Sequence, residues 1–495
     1  MTAVCVMVLG TTSGAGKSLL TTALCRHYAR MGLKVAPFKA QNMSNNARVV
    51  RGMPAADGHA LTGEIGSAQY FQALAAGVEP EVRMNPLLLK PEADTRSQVV
   101  LMGKVDRRLS DMPWRDRSET VWPYITAALD ALCADHDVVV IEGAGSPAEI
   151  NLHASDIVNM RVARHVQASC LLVTDIDRGG AFAHLYGTWA LLPAEEQALI
   201  CGFVLNKFRG DAALLAPAPE MLQNLTGIPV VATLPMWWRH GLPEEDGVFD
   251  DRSRSSGRVH TTVAVVAYPR LSNLDEFQPL KNVPGVHLVW ARTPADCVGA
   301  DWIILPGSKA TVADLGWLRQ QGLDKTVAAH AARGGAVLGI CGGLQMLGED
   351  LMDTDGMETM PPSKTPGLGL LPLVTEFVAD KTVCRTTATL GEVTGVWSAL
   401  SGVTATGYEI HHGQTAQQPT LNGNVAKEVL SGLAWQNSAG NVLGCYLHGL
   451  FEDPAVLRAL FGTSVPTLEC VFDGLADFLG SHVVPGLLDK LIHRD

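Results

Sequence analysis

The chain has 495 residues, 47% of them hydrophobic and 18% charged, and a formal net charge of −12. That length accommodates roughly two to four domains with large cores. The acidic balance excludes general nucleic-acid binding, which needs a basic surface, so only local basic patches can meet anionic ligands. The 10 cysteines form no C-x-x-C pair and no zinc-ligand spacing, which fits a reducing cytoplasm. The apolar N-terminus is short, lacks a basic start, and reads as a first strand rather than a signal peptide. No apolar run reaches membrane-spanning length.

In chain order, apolar β runs at 4–10, 33–40, 137–145, 168–177, 198–208 and 228–235 alternate with helical stretches such as 17–32. This pattern predicts a doubly wound parallel α/β domain over 1–249. Residues 10–18, Gly10-Thr11-Thr12-Ser13-Gly14-Ala15-Gly16-Lys17-Ser18, lie between the first strand and first helix. Backbone N–H groups of such a loop cradle phosphates, Lys17 neutralises them and Ser18 can hold Mg²⁺. Gly10 stands one residue earlier than the standard spacing. The loop resembles the longer form of the dethiobiotin synthetase-like branch. Glu142, at the end of VVVIEGAG, is the expected second metal contact, directly or through water. Asn206-Lys207 closes another strand and resembles the purine-contacting Asn-Lys of related nucleotide binders.

Residues 250–258, DDRSRSSGR, read as a linker. A second α/β domain is expected over 259–495, opening with the strand at 261–269 and ending in a helical tail that packs on it. Within it, AVLGICGGLQMLG (336–348) has the form of a nucleophile elbow around Cys341, where a strand turns sharply into a helix. N–H groups at such a turn hold an oxyanion. DWIILPGSK (301–309) presents a second backbone donor at Pro306-Gly307-Ser308, and VLGCYLHG (442–449) ends at His448. A cysteine and a histidine at separate strand ends suit a thiol–imidazole pair.

These three segments resemble a class I glutamine amidotransferase domain. The resemblance implies that Cys341 attacks the glutamine side-chain amide, that His448 is its partner, and that Gly307 and Gly342 form the oxyanion hole. The family's usual glutamate two residues after the histidine is Leu450 here. Glu452 lies nearby at the wrong offset. The departure points to the subgroup of these domains that works with a Cys–His pair, and it leaves open what orients His448. One site releases ammonia and the other activates a group with a nucleoside triphosphate. Together they suit amidation of a phosphorylated carboxylate.

KAQNMSNN (39–46), MNPLLLKP (84–91), EGAGSPAEIN (142–151), DIDRGG (175–180), LNKFRGD (205–211), YPRLSNLDEF (268–277), GYEIHHG (407–413) and YLHGLF (446–451) resemble the cobyric acid synthase family along nearly the whole chain. The resemblance implies ATP- and Mg²⁺-dependent amidation of the b, d, e and g carboxylates of adenosylcobyrinic acid a,c-diamide. Glutamine is the nitrogen donor, and the corrinoid is substrate rather than cofactor. The amide-rich segments read as ligand-binding loops. Lys39, Gln41, Asn42, Asn45, Glu64, Lys90, Asp175 and Arg178 are the substrate candidates, with Arg96 a further cation and Asp57 a further acid. Glu409 and His411 are expected to face the glutamine or the domain interface. The rival expectations are cobyrinic acid a,c-diamide synthase, another P-loop amidoligase, or a P-loop switch with a degenerate amidotransferase domain.

Overall fold

The computed structural model describes residues 3–54, 61–238, 240–243, 258–359, 362–417, 425–463 and 465–493. The expected linker 250–258, apart from Arg258, lies outside the described residues, as does Asp57.

The six predicted β runs of the first half pair as one parallel sheet. Its order is Val230–Pro235, Ile200–Phe208, Ser169–Asp175, Val4–Gly10, Val138–Glu142 and Val35–Phe38. Runs such as Val138-Val139-Val140-Ile141 are buried along their length, as strands covered on both faces must be. Register sets Val8 beside Glu142, Gly10 beside Val173 and Asp175 beside Asn206. Gly10, Glu142, Asp175 and Asn206 therefore share the carboxyl edge of the sheet, where open α/β sheets bind ligands.

A second sheet orders Val286–Ala291, Thr261–Val266, Trp302–Leu305, Ala336–Ile340, Val442–Cys445, Ala434–Gln436 and Lys427–Leu430. Its first five strands run parallel and the last two antiparallel. The strands before the 306–308 turn, Cys341 and His448 are neighbours, so three distant segments end at one edge.

The amide-rich segments are more ordered than loops. Gln41–Met43 pairs with the strand Leu87–Ala93, and Ala47–Arg51 pairs with Thr62–Gly66. Both pairings lie beside the long hairpin formed by Leu373–Thr389 and Thr404–Gln417. Thr62 Oγ1 donates to the Val383 carbonyl at 2.7 Å, and Arg385 Nε to the Val49 carbonyl at 3.0 Å.

The C-terminal tail corrects an expectation. Its helices Leu468–His482 and Leu487–Ile492 pack on the first sheet's side of the molecule, against the helix Lys17–Arg30, and not on the second domain. Arg26 pairs with Glu469 and Asp473, each at 2.8 Å, and Tyr28 donates to the Leu488 carbonyl at 3.0 Å. The physical reason is the apolar stripe Phe472, Leu475 and Leu479, which completes the core around Leu20, Leu24 and Tyr28.

Candidate active site

Cys341 stands between the strand Ala336–Ile340 and the helix Gly342–Leu347, with φ 50° and ψ −106°. That left-handed backbone is strained for a residue with a side chain and characterises a nucleophile elbow. The turn closes only because its neighbours lack side chains. A Cβ on Gly343 would lie 1.8 Å from the Leu305 carbonyl oxygen.

His448 is fully buried and stacks on Tyr408, with ring centroids 5.3 Å apart. Backbone bonds at 2.9 and 3.2 Å also tie the two residues together. The missing carboxylate is Glu276. Its Oε1 lies 3.1 Å from His448 Nδ1, and its Oε2 accepts the Gly449 N–H at 2.9 Å. Burial pushes the imidazole pKa down, but the charges of Glu276 and Cys341 raise it to about 10. Gly307 sits against the same ring, since a Cβ there would lie 2.8 Å from His448 Cε1. A Cβ on Gly342 would approach Ser308 N to 2.8 Å, so the 306–308 turn and the elbow touch.

Cys341 opens into a small cavity of about 50 Å³, lined also by Ser308, Thr311, Gln345, Ile410 and His411. Gln345 accepts from Thr311 at 3.1 Å and donates to the Tyr446 hydroxyl at 3.3 Å. Glu409 and His411 form a 3.3 Å pair, and the His411 ring stacks on Tyr446 at 3.9 Å.

Asn45 and Lys90 of the first half line this same small cavity. Lys90 and Lys381 both pair with the buried Glu64. Burial pushes the Glu64 carboxyl up, but the two ammonium groups outweigh it and bring its pKa to about 2. Of the substrate candidates, Glu64, Lys90 and Asn45 do not line the large cavity described next. The pairing of Ala47–Arg51 with Thr62–Gly66 and the strand Leu87–Ala93 carry them to the domain interface instead. Arg96 is an exposed surface cation paired with Glu92 at 3.3 Å.

At the first sheet's carboxyl edge, Gly16 has φ 99° and caps the helix that begins at Lys17. Lys17 Nζ donates to the carbonyls of Thr12 at 3.1 Å and Gly145 at 3.3 Å. Asn206 donates to the Ala15 carbonyl and Lys207 to that of Gly14, both at 2.8 Å. Thr11 Oγ1 bonds Thr174 Oγ1 at 3.0 Å. The loop is thus braced by the strand end at 206–207.

Glu142 gathers Ser18 at 2.9 Å, Lys39 at 2.8 Å and Gln72 at 2.6 Å. Burial raises its carboxyl pKa, but Lys39, Gln72 and Lys17 lower it further than burial raises it. The Ser18 hydroxyl and Glu142 carboxylate are a hard-oxygen pair suited to Mg²⁺, which takes few protein ligands beside phosphate and water. Gln72 Oε1 is buried there without a hydrogen-bond partner, a polar atom that a hydrated cation at this site would satisfy. No cluster of metal-ligating side chains sufficient by itself occurs among the described residues.

Above this loop lies a cavity of about 1010 Å³. Ser13, Gly14, Gly16, Lys17, Ser18, Lys39, Gln41, Asn42, Glu142, Asp175, Arg178, Asn206 and Lys207 line it. Asp175 is salt-bridged to Lys207 at 3.3 Å and Arg178 at 3.4 Å. Sequence reasoning missed the apolar wall opposite, where Met43, Trp237, Trp238 and the tail residue Phe478 lie. Met43 and Trp238 are more than half exposed, at 59% and 54%. Trp237-Trp238 just after a strand end was the available signal.

Residues 6–246 match the family described as CobQ/CobB/MinD/ParA nucleotide binding domain, and residues 262–456 the CobB/CobQ-like glutamine amidotransferase domain. Cobyric acid synthase of Acidovorax ebreus is 73% identical, covering 99% of both chains. That of Acidovorax sp. strain JS42 is 73% identical over 98% of this chain and 97% of its own. The Variovorax paradoxus relative of the same name is 70% identical over 99% and 100%.

The chain belongs to the cobyric acid synthase family.

The phosphate loop falls inside the first matched domain, and Glu276, Cys341 and His448 inside the second. The tail helices lie beyond both.

Proposed function

We propose that the chain makes cobyric acid: a glutamine-hydrolysing, ATP-dependent ligase that amidates the b, d, e and g carboxylates of adenosylcobyrinic acid a,c-diamide. The observation that carries this is one chain holding both a Cys–His–Glu thiol site and a phosphate loop under a cavity of about 1010 Å³. Family membership at 73% identity over 99% of the chain supplies the substrate.

In the thiol site, Cys341 Sγ attacks the glutamine side-chain carbonyl and His448 takes the thiol proton. The N–H groups of Gly307 and Gly342 hold the oxyanion. His448 returns the proton to the departing ammonia, and water then releases glutamate from the thioester. Glu276 fixes the imidazole ring and stabilises its cation.

In the large cavity, loop N–H groups and Lys17 bind the nucleotide phosphates, with Asn206 and Lys207 holding the loop in shape. Ser18 and Glu142 would hold Mg²⁺, which screens phosphate charge. The γ-phosphoryl group passes to a corrinoid carboxylate, ammonia displaces phosphate, and an amide remains. Lys39 and Arg178 meet the substrate's carboxylates, while Met43, Trp237 and Trp238 face the apolar surface of the macrocycle. Ten free cysteines and no helix long and apolar enough to cross a membrane among the described residues suit a cytoplasmic reaction.

The test counts amides by mass spectrometry with glutamine or ammonium as nitrogen source. Cys341→Ala is expected to lose glutamine-driven synthesis by about 10⁶-fold and keep ammonia-driven synthesis. Lys17→Ala is expected to lose both by roughly 10³-fold. Glutamine-driven amidation surviving in Cys341→Ala would refute the thiol assignment.

A further inference from the structure

One stretch of the first domain reaches both centres. Lys39 pairs with Glu142 beneath the phosphate loop, Gln41 and Met43 line the large cavity, and Asn45 lines the thiol cavity. Asn46 and Asn273 then exchange hydrogen bonds across the domains. Asn46 Oδ1 accepts the Leu274 N–H at 3.0 Å, and Asn273 Oδ1 accepts the Ala47 N–H at 2.9 Å. Leu274–Phe277 is the turn that carries Glu276.

Arg48 follows, with a relative exposure of 1%. Its guanidinium pairs with Asp275, Glu276's neighbour in that turn, and donates to both Glu452 oxygens at 2.6 and 2.8 Å. It lies 5.0 Å from the centroid of Tyr408, the ring stacked on His448. Asp275 Oδ1 is buried with no hydrogen bond, and among the described residues Arg48 is the cation paired with this carboxylate. Asp275 and Glu452 thus meet at Arg48, and with Glu276 they surround the Tyr408 ring that stacks on His448. Without a second cation they would repel one another, and a buried charge left unpaired is strongly unfavourable.

We propose that Arg48 is a positioning residue of the thiol site: a side chain of the nucleotide-binding domain that holds the Glu276 turn and so keeps His448 aimed at Cys341. The glutaminase centre is then completed by the domain that consumes its ammonia. This rests on the reading of Cys341 and His448 as the glutamine-hydrolysing pair.

The test uses the full-length enzyme and compares glutamine-driven with ammonia-driven amide formation. Arg48→Met is expected to lower kcat for the glutamine-driven reaction by about 100-fold, the scale of a small misplacement of catalytic groups. The glutamine KM and the ammonia-driven rate stay near wild type. Adding Glu452→Gln to Arg48→Met removes a stranded carboxylate and recovers part of the loss. Arg48→Lys, which keeps the charge but not the fork, falls between and serves if Arg48→Met does not fold. Equal losses with both nitrogen sources would make Arg48 a general anchor and overturn the proposal. An unchanged glutamine-driven rate, or no recovery in the double variant, overturns it too. Cys341→Ala with intact glutamine use would instead remove the underlying reading, whatever Arg48 does.

Discussion

The two centres sit at the carboxyl ends of parallel strands in two sheets but are built differently. The thiol site is small, with a cavity of about 50 Å³ and His448 and Glu276 essentially without solvent exposure. The phosphate-loop site is a cavity of about 1010 Å³ with apolar residues standing open on one wall. The difference follows the size of what each handles. A glutamine side chain can be enclosed completely, so its reacting groups can be held in advance by short hydrogen bonds in a low-dielectric site. A macrocycle that must present several carboxylates in turn needs room and a broad apolar wall.

The largest effect expected from breaking this contrast is at Glu276. Glu276→Gln keeps the shape and removes the charge, and glutamine-driven synthesis is expected to fall by up to about 10⁴-fold. Ammonia-driven synthesis should be spared. The pH profile carries a second signature. Burial lowers the His448 pKa, while Glu276 and Cys341 raise it from 6.5 to about 10. Its contribution to stability is therefore complete below pH 6.5 and is lost as pH rises through about 10. On the proposed mechanism, the imidazolium that would protonate the leaving ammonia is lost as pH rises through about 10. In Glu276→Gln the basic limb of glutaminase activity should move toward neutral pH. An unmoved limb would mean that Glu276 does not set the charge of His448.

On the open side, Trp237→Ala tests whether the apolar wall binds substrate. Losing one aromatic contact surface corresponds to about a tenfold rise in the corrinoid KM. The glutamine KM should not change, because Trp237 lines only the large cavity. A rise in both constants would argue against separate walls for separate substrates.

The two centres also differed in how far they could be read from sequence. Cys341 and the 10–18 loop were legible because their constraints are local. A strand, a run of small residues and a helix must follow one another for either turn to form, and the backbone at Cys341 and Gly16 adopts the positive φ that such turns need. Glu276 was invisible because its partnership with His448 spans 172 residues and depends on how the 274–277 turn packs. The position where the family pattern puts the carboxylate holds the buried Leu450, so the acid arrives from another element. Lys90 and Glu64 were identified as distinctive, but charge alone cannot say which cavity a side chain faces. Strand pairing decides that: Lys90 lines the thiol cavity, and Glu64 is ion-paired to it.

The tail gives the smallest effect and separates the centres in another way. Tyr28→Phe deletes one hydroxyl and leaves the Leu488 carbonyl without its 3.0 Å donor. The expected loss is about 1 kcal/mol of stability, read by thermal or denaturant unfolding. That bond anchors the helix Leu487–Ile492, and the preceding helix sets Phe478 against Trp237, with ring centroids 4.8 Å apart. Loosening it should therefore raise the corrinoid KM slightly and leave glutamine hydrolysis untouched, since none of the described tail residues lines the thiol cavity. A variant that instead weakens glutamine hydrolysis would show that the tail's packing reaches across to the second sheet. The contrast between a closed site held by Glu276 and an open one completed by the tail would then have to be given up.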